Sequence, residues 1–539
     1  MRFRGSILLA LAGLLVLGLA PAQAQDATKP SLLLRLKPLE ELIGDLRFLV
    51  KEVGREEEAK QIESMLKART SPQGLEGVDV KKPIGLFAVL KPSLNSSEVA
   101  LLLPIADEKT FLAFLEQLNF KPEKDKDGLY TLQVENVPVP LLFRFANGYL
   151  YGMAKLNEKM TLPAKDKLPN PEKILAEGSG LLSLTANVDQ LPPQLRKLAI
   201  SASAFTLGEL KDQDLPAATP KQKAVWAALL DESATLVKSV LEDATAVQLK
   251  LDVDRKARDL TLGLTLASKP DSTLAKNFAS LNPSSSVASG IGTRDSVMGG
   301  MVYLALPAAI KKAAVPAIEE AIAKATENLD PGARELLTPL IDSLKPSATA
   351  GKFDLGLDMR GPGKKGKYTL VLSAQLEKGL AIEKALKELV SKMPEDQTQA
   401  LKTDFAKEGD VNIHRVTQLK MDAQAKEMFG TGALYFAARD DALIVTLGED
   451  ALPALKAAVK ARPSIGTPLQ LAISGSRLAK FMAKDQKHAP EAARKAFTDP
   501  GSDQMRLTLS AGERLELKLS IRTAVLAFAS YLDRLNKGE

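Results

Sequence analysis

The chain has 539 residues, of which 45% are hydrophobic and 26% charged, as in an ordinary globular protein large enough for two or more domains. Its net charge of +6 is spread along the chain, whereas a nucleic-acid-binding protein would gather its cations into a patch. The absence of cysteine excludes disulfides, thiolate catalysis and metal sites built on cysteine.

The first 24 residues have the pattern of a secretory signal peptide. Arg2 and Arg4 supply a positive start, residues 7–20 form an apolar run, and Ala22-Gln23-Ala24 is a small-x-small cleavage site. The run is shorter than the about 20 residues that a membrane-spanning helix needs. We therefore expect cleavage after Ala24 and export of a soluble periplasmic or extracellular protein with no transmembrane segment.

Residues 25–72 are predicted to form a helical N-terminal segment. From Ser31 onward, Leu39, Leu42, Ile43 and Leu46 follow the three-to-four spacing of an amphipathic helix.

The stretch "GLEGVDVKKPIGLFAVL" (74–90) has three glycines, as a phosphate-binding loop does. Such a loop needs a strand before it and a helix after it, because the helix N-terminus holds the phosphate. Here a helical pattern precedes Gly74 and Gly77, and the apolar strand 84–90 follows them. We interpret the stretch as the entrance to a strand.

Alternation of apolar and polar residues predicts antiparallel hairpins, each with one buried and one solvent-facing side. The clearest turn is Asn147-Gly148, the strongest short hairpin signal. A helix is predicted to follow each hairpin or strand. The predicted hairpins span residues 142–154, 247–266, 434–448 and 505–521.

Four such units recur in the same order along the chain, which predicts an internal duplication. The expected fold class is α+β, with two tandem halves that each have an antiparallel sheet covered by helices on one face. The predicted domains are the signal peptide (1–24), the helical segment (25–72), a first α+β domain (73–282) and a second α+β domain (283–539).

Several segments occur in an order that resembles a group of exported proteins of planctomycete type. They are "GVDVKKPIG", "LLLPIADEKTFLAFL", "VNIHRV" and "MFGTGALYFAARDDALIVTLGEDALPALKAAV". The resemblance covers most of residues 30–465. It implies export and a duplicated ββα layout, and it transfers no catalytic residue.

Few side chains point to catalysis or metal binding. His414 lies in a predicted strand and His488 beside a predicted helix start, far apart and without an H-x-x-x-H pair. Residues 64–67 match S-x-x-K without the accompanying K-T-G or S-D-N, and no G-x-S-x-G occurs. Residues 123–128, "EKDKDG", begin like a calcium loop, but Val134 stands where the bidentate Glu belongs.

Two further features have structural interpretations. The single tryptophan, Trp226, is expected to anchor a helix to the core, and the scarcity of aromatic residues argues against a sugar-binding site. The basic cluster 361–367 is expected to be a solvated hairpin tip, with anion binding there as the alternative. We predict no catalytic, cofactor-binding or metal-binding residue.

Three functions remain open from the sequence. The first is a non-catalytic exported protein that binds a protein or envelope component, or that contributes to envelope structure. The second is a periplasmic carrier of an apolar ligand between sheet and helices. The third is a hydrolase that uses scattered carboxylates. A cavity between sheet and helices would favour the carrier.

Overall fold

The computed structural model shows an α+β protein with 41% helix and 30% strand, as the sequence predicted. The chain divides into two compact units. Unit 1 comprises Met1–Phe205, Val237–Leu274 and Ser520–Tyr531, and unit 2 comprises Thr206–Leu236, Ala275–Leu519 and Leu532–Glu539. The structure describes residues 29–538 except 59, 62–75, 93–96, 134–138, 156–160, 177, 214, 217, 284, 294–295, 394–397 and 484.

Unit 1 contains an antiparallel sheet with the strand order β4-β5-β6-β7-β3-β2-β1-β8-β9-β10. The first strand of the described residues, β1, therefore lies in the interior of the sheet, between β2 and β8. The strands are β1 (Leu32–Leu36), β2 (Ile84–Val89), β3 (Glu98–Pro104), β4 (Glu123–Lys124), β5 (Tyr130–Leu132), β6 (Leu141–Ala146), β7 (Tyr149–Ala154), β8 (Leu182–Ala186), β9 (Ala244–Asp254) and β10 (Asp259–Ser268).

Unit 2 contains an antiparallel sheet with the strand order β14-β15-β16-β17-β13-β12-β11-β18-β19-β20, of which the residues of β20 up to Leu519 belong to the unit. This is the order of unit 1 with ten added to each strand number. The strands are β11 (Ser296–Ala305), β12 (Lys352–Arg360), β13 (Thr369–Gln375), β14 (Leu401–Glu408), β15 (Val411–Val416), β16 (Leu434–Ala438), β17 (Ala442–Gly448), β18 (Leu469–Ser474), β19 (Gln504–Ser510) and β20 (Arg514–Arg522).

Most helices connect the strands at corresponding places in the two units, but α10, between β15 and β16, has no counterpart between β5 and β6 among the described residues. For example, one helix follows β3 and another follows β13. The helices are α1 (Leu39–Glu52), α2 (Glu108–Gln117), α3 (Pro171–Leu175), α4 (Pro193–Lys211), α5 (Pro220–Asp243), α6 (Thr273–Leu281), α7 (Ala308–Glu327), α8 (Pro331–Thr349), α9 (Gly379–Lys392), α10 (Ala423–Phe429), α11 (Ala451–Lys460), α12 (Gly475–Met482), α13 (Ala489–Ala496) and α14 (Thr523–Lys537).

Local sequence signals explain several of these boundaries. The Asp107 carboxylate accepts the backbone N–H of Thr110 at 2.7 Å and caps α2, as its position before the apolar run predicted. Asn147 and Gly148 both have positive φ, which is the geometry of a tight hairpin turn between β6 and β7.

The glycine-rich entrance to β2 is architectural, as predicted, in its described part. Gly77 has a φ of 79°, and a Cβ there would lie 2.4 Å from the backbone nitrogen of Phe111. Its carbonyl accepts the N–H groups of Ala106 and Asp107. The loop therefore holds the start of α2, and the strand follows at Ile84. Gly74 lies outside the described residues.

Helices pack on both faces of the unit 1 sheet, whereas the sequence analysis predicted one covered face. Phe111 of α2 packs on one face, in a core cluster with Tyr130 and Phe143. Leu175 of α3 packs on the other face, in a cluster with Leu33 and Tyr151.

The prediction of helix from Ser31 was wrong for residues 32–36, which form β1. Leu34 pairs with Leu86 on one side and with Leu184 on the other, so the strand gains two ladders of backbone hydrogen bonds. Tertiary pairing therefore overrides local propensity there. The helical prediction holds for α1, whose buried Asp45 forms ion pairs with Lys37 at 2.9 Å and Arg255 at 2.6 Å.

Glycine stands at the same place in β2 and β12. A Cβ on Gly85 would lie 2.4 Å from Leu175, and a Cβ on Gly356 would lie 2.6 Å from Ile291 and from Ser373. Both strands therefore need glycine so that the neighbouring core side chains can pack closely against the backbone.

Candidate functional site

The unit 1 sheet carries three rows of apolar side chains on one face, across strands β3, β2, β1, β8, β9 and β10. Directly paired residues of an antiparallel sheet point to the same side, so the register defines each row. We call this surface the leucine face of unit 1. The central row is Leu101, Leu86, Leu34, Leu184, Leu249 and Leu264, and the flanking rows are Val99, Ala88, Leu32, Ala186, Val247 and Leu266, and Ile84, Leu36, Leu182, Leu251 and Leu262.

The leucine face is the more open side of its strands. Leu184 and Leu249 keep 43% and 41% of their surface exposed, whereas Ser183 and Thr185, on the opposite side of β8, keep only 1% and 6%. β9 follows the alternation predicted for 247–253. Its apolar side is open at Leu249 but buried at Val253, which keeps 4% of its surface exposed, whereas a buried apolar side was expected throughout.

The leucine face offers no hydrogen-bonding side chain. Strands lie about 4.8 Å apart and rise about 3.4 Å per residue, so the three rows cover roughly 24 Å by 14 Å between their outer Cα positions. The backbone N–H and C=O groups of the inner strands already pair with neighbouring strands. A surface of this kind binds through apolar contact alone.

His414, singled out from the sequence, lies on β15 in unit 2 and is completely buried. Its Nδ1 accepts the backbone N–H of Asp404 at 3.2 Å, and its Nε2 lies 3.6 Å from Oε1 of Glu383 on α9. Its ring stacks on Phe436 with centroids 4.9 Å apart. The sequence analysis did not identify Glu383 or Asp404, because α9 and β14 are far from β15 along the chain.

Polar contacts hold the carboxylates around His414. Oε1 of Glu383 accepts hydrogen bonds from Asn412 at 2.8 Å and from Lys387 at 2.7 Å. Lys387 also pairs with Asp404 at 2.9 Å. Burial lowers the pKa of His414, which the nearby Glu383 and Asp404 only partly oppose. Burial alone would raise the pKa of Glu383, but the hydrogen bonds from Lys387 and Asn412 lower it.

His414, Glu383 and Asp404 place one ligand atom each within 4.8 Å of one another, the spacing of a metal site. Two observations argue against a metal there. The Lys387 ammonium lies between the two carboxylates, where a cation would bind. Nδ1 of His414 accepts an N–H, so the neutral ring carries its proton on Nε2, which then has no lone pair for a metal. The donor set therefore fits a polar network around a buried histidine better than a metal centre.

His488 does not join His414. It stands at the N-cap of α13, where its backbone carbonyl accepts the N–H of Ala492 at 3.0 Å. Within the described residues, the one group of donors at metal-ligand spacing includes His414 and not His488. The S-x-x-K match at residues 64–67 lies outside the described residues.

The calcium-like stretch forms a hairpin turn between β4 and β5. Oδ1 of Asp125 accepts the N–H groups of Asp127 at 2.9 Å and Leu129 at 2.8 Å, which is the geometry of a side-chain-capped turn. This agrees with the structural interpretation. Val134 lies outside the described residues.

The basic segment 361–367 connects β12 and β13, as a hairpin tip should. The Glu449 carboxylate accepts the backbone N–H groups of Lys365 at 2.8 Å and Lys367 at 3.3 Å. A carboxylate of the chain itself thus occupies the position that a bound anion would take.

Trp226 lies on α5 and donates its indole N–H to the carbonyl of Leu210 on α4 at 3.3 Å. It therefore joins two helices of a helical hairpin. An open groove of about 460 Å³ lies between α5 and α7 of unit 2, away from the strands. Its lining residues are Pro220, Lys221, Ala224, Ala309, Lys312, Ala313 and Pro316.

In the part of the chain that the structure describes, no helix has the length and apolar character to cross a bilayer. Comparison of the chain with family models, with curated protein sequences and with solved structures gives no match. The resemblance to exported proteins of planctomycete type therefore stays a prediction.

Proposed function

We propose that this protein is a non-catalytic exported binding protein, and that the leucine face of unit 1 binds the hydrocarbon chains of a lipid. One observation carries the proposal. The leucines of β8 and β9 are open to solvent, while hydroxyl side chains on the other side of the sheet are buried. Contiguous apolar surfaces of this size commonly mark binding sites.

The chemistry of the face favours hydrocarbon over a protein partner. Protein interfaces make about one hydrogen bond for every 100–200 Å². No side chain in the three rows can donate or accept one, and a hydrocarbon chain needs none. The rows extend about 14 Å along the strands, and one leaflet of a bilayer, half of its ~30 Å hydrocarbon core, extends about 15 Å.

The predicted export agrees with this function, because a protein outside the cytoplasm meets envelope lipids. The identical strand order of the two units supports the further proposal that they arose by duplication, as the repeated sequence pattern predicted. Residues 247–253 and 505–510, which begin two of the predicted hairpins, lie on β9 and β19, and these two strands hold the same place in the two strand orders. Superposition of the two units would test the duplication; a poor fit of paired strands would contradict it.

The test compares leucines on the face with matched leucines elsewhere. Leu184→Gln combined with Leu249→Gln is expected to weaken binding of a fluorescent long-chain fatty acid by about tenfold or more, since each buried leucine contributes on the order of 1–2 kcal/mol. The control combines Leu198→Gln and Leu229→Gln, on helices α4 and α5, which have nearly the same exposure.

Equal loss in both double variants would contradict the proposal, as would undetectable binding by the unchanged protein. Thermal melting of each variant checks that the fold survives. Sedimentation of the unchanged protein tests the other occupant of such a face, a second copy of the chain. A dimer abolished by Leu184→Gln with Leu249→Gln would replace the lipid proposal.

A further inference from the structure

The strand β14, at one end of the strand order of unit 2, is irregular opposite His414. It pairs with β15 at Leu401 and Lys402, and again from Ala406 onward. Residues 403–405 lie between these pairs and face a single residue of β15, which is His414. We call residues 403–405 the bulge of β14.

The ring of His414 holds this bulge. Its Nδ1 accepts the backbone N–H of Asp404 at 3.2 Å, so the imidazole supplies the acceptor that a carbonyl of a regular strand would offer. Asp404 has a φ of 51°, a backbone conformation that a residue with a side chain keeps only where its surroundings hold it. The hydrogen bond from His414 is one such restraint.

The hydrogen bond exists only while the ring is neutral. In the protonated ring both nitrogens carry a hydrogen, so Nδ1 becomes a donor that points at the N–H of Asp404. Two opposed donors repel each other, and the bulge has to move before Nδ1 finds an acceptor. The Asp404 carboxylate can become that acceptor, since one of its oxygens lies within 4.8 Å of a nitrogen of the ring.

We propose that His414 is a pH-sensitive switch at the edge of the unit 2 sheet, and that its protonation releases the bulge of β14. The inference does not depend on the proposed lipid binding. The charged groups around the ring are Glu383 and Lys387 on α9 and Asp404 on β14, and β16 contributes the uncharged Phe436.

The direction of the pH dependence follows from these groups. Burial lowers the pKa of His414 and Lys387 adds to this, while Glu383 and Asp404 oppose it. A ring freed from the bulge regains the ordinary pKa of about 6.5. Release therefore becomes more favourable as the pH falls below about 6.5, until it reaches the lower pKa of the held ring.

Hydrogen–deuterium exchange of the full mature protein at pH 7 and pH 5 tests the switch. After correction for the chemical exchange rate at each pH, the segment 401–408 is expected to lose protection by about threefold or more at pH 5, because one linked proton changes an equilibrium by up to tenfold per pH unit. The segment 123–132 of unit 1 should keep its protection. It has Tyr130 at the corresponding place and no histidine.

Two variants assign the effect to the ring. His414→Gln offers a carbonyl oxygen as acceptor and does not titrate, so 401–408 should be equally protected at both pH values. Glu383→Gln removes a carboxylate that favours the protonated ring, so its loss of protection at pH 5 should be smaller than in the unchanged protein. Circular dichroism at both pH values checks that each variant is folded.

Three results would overturn the inference. They are full protection of 401–408 at pH 5, an equal loss in the unchanged protein and in His414→Gln, and an equal loss in the control segment 123–132. If His414→Gln does not fold, the comparison with Glu383→Gln decides, and an equal loss in that variant and the unchanged protein would overturn the switch.

Discussion

Tyr130 and His414 occupy the same place in the two units, and their differences show what that place requires. Tyr130 pairs with Phe143, whose strand leads through Gly152 to Leu101. His414 pairs with Phe436, whose strand leads through Val445 to Leu372. Both rings stack on their phenylalanine with centroids 4.9 Å apart.

The surroundings of the two rings differ in polarity. Tyr130 lies in an aromatic cluster, with edge contacts to Phe145. His414 lies against Glu383 and accepts the N–H of Asp404. The comparison teaches that this register position selects a flat ring, and that histidine there supplies packing and one hydrogen bond. It gives no support to a catalytic role for His414.

The largest expected effect on the free energy of unfolding comes from removing the ring of Tyr130 in unit 1. Tyr130→Ala should destabilise the fold by about 3–5 kcal/mol, the range for aromatic residues in cores, because the stack on Phe143 and the contact with Phe145 are both lost. Urea unfolding measures it. Tyr130→Phe keeps the ring and should cost less than about 1.5 kcal/mol. If Tyr130→Ala were as mild as Tyr130→Phe, the ring would not be what this position selects.

An intermediate effect is expected when the histidine of unit 2 is made apolar. His414→Phe keeps a ring over Phe436 but removes the acceptor of the Asp404 N–H, at a cost of about 0.5–1.5 kcal/mol, the net contribution of one hydrogen bond. His414→Gln is expected to lower the free energy of unfolding by on the order of 1 kcal/mol. Urea unfolding of both variants measures how much the hydrogen bond contributes to stability. A variant as stable as the unchanged protein would reduce the role of His414 to packing alone.

The smallest expected effect is a dependence of stability on pH. Burial lowers the pKa of His414 below its ordinary value of 6.5, so the unfolded chain binds this proton at a higher pH than the folded chain. The contribution of neutral His414 to the free energy of unfolding is complete above about pH 6.5. It is lost as the pH falls from there toward the lower pKa of the folded state. Glu383 and Asp404 oppose the shift and Lys387 adds to it.

Melting temperatures at pH 7.5 and 5.5 measure this dependence. The unchanged protein should lose more stability on acidification than His414→Gln, which has no group to titrate there. Identical losses in the two proteins would show that His414 is not the group responsible.

The sequence predicted the features that depend on neighbouring residues. The Asp107 cap and the Asn147-Gly148 turn are correct because each acts within a few residues of itself. β1 was missed because its extended conformation depends on β2 and β8, which follow much later in the chain.

The leucine face and the His414 network depend on the fold in a different way. Alternation along β9 identified two sides but could not determine which one the helices cover. The contact between His414 and Glu383 joins β15 to α9, and no pattern within either segment indicates it. The predicted domain boundaries and the export signal stay predictions, the latter because residues 1–24 lie outside the described residues.

The interior position of β1 has a consequence for the order in which the chain acquires its structure. β1 lies near the N-terminus, and one of its partners, β2, is the next strand of the chain, but the other partner, β8, is synthesised only after six strands. If the N-terminus is translocated first, as the export signal predicts, one edge of this leucine-rich strand stays unpaired on the far side of the membrane until β8 has crossed. Unpaired apolar strands of this kind associate readily with other chains. Secretion of this protein should therefore depend on a chaperone that shields residues 32–36 until β8 has crossed.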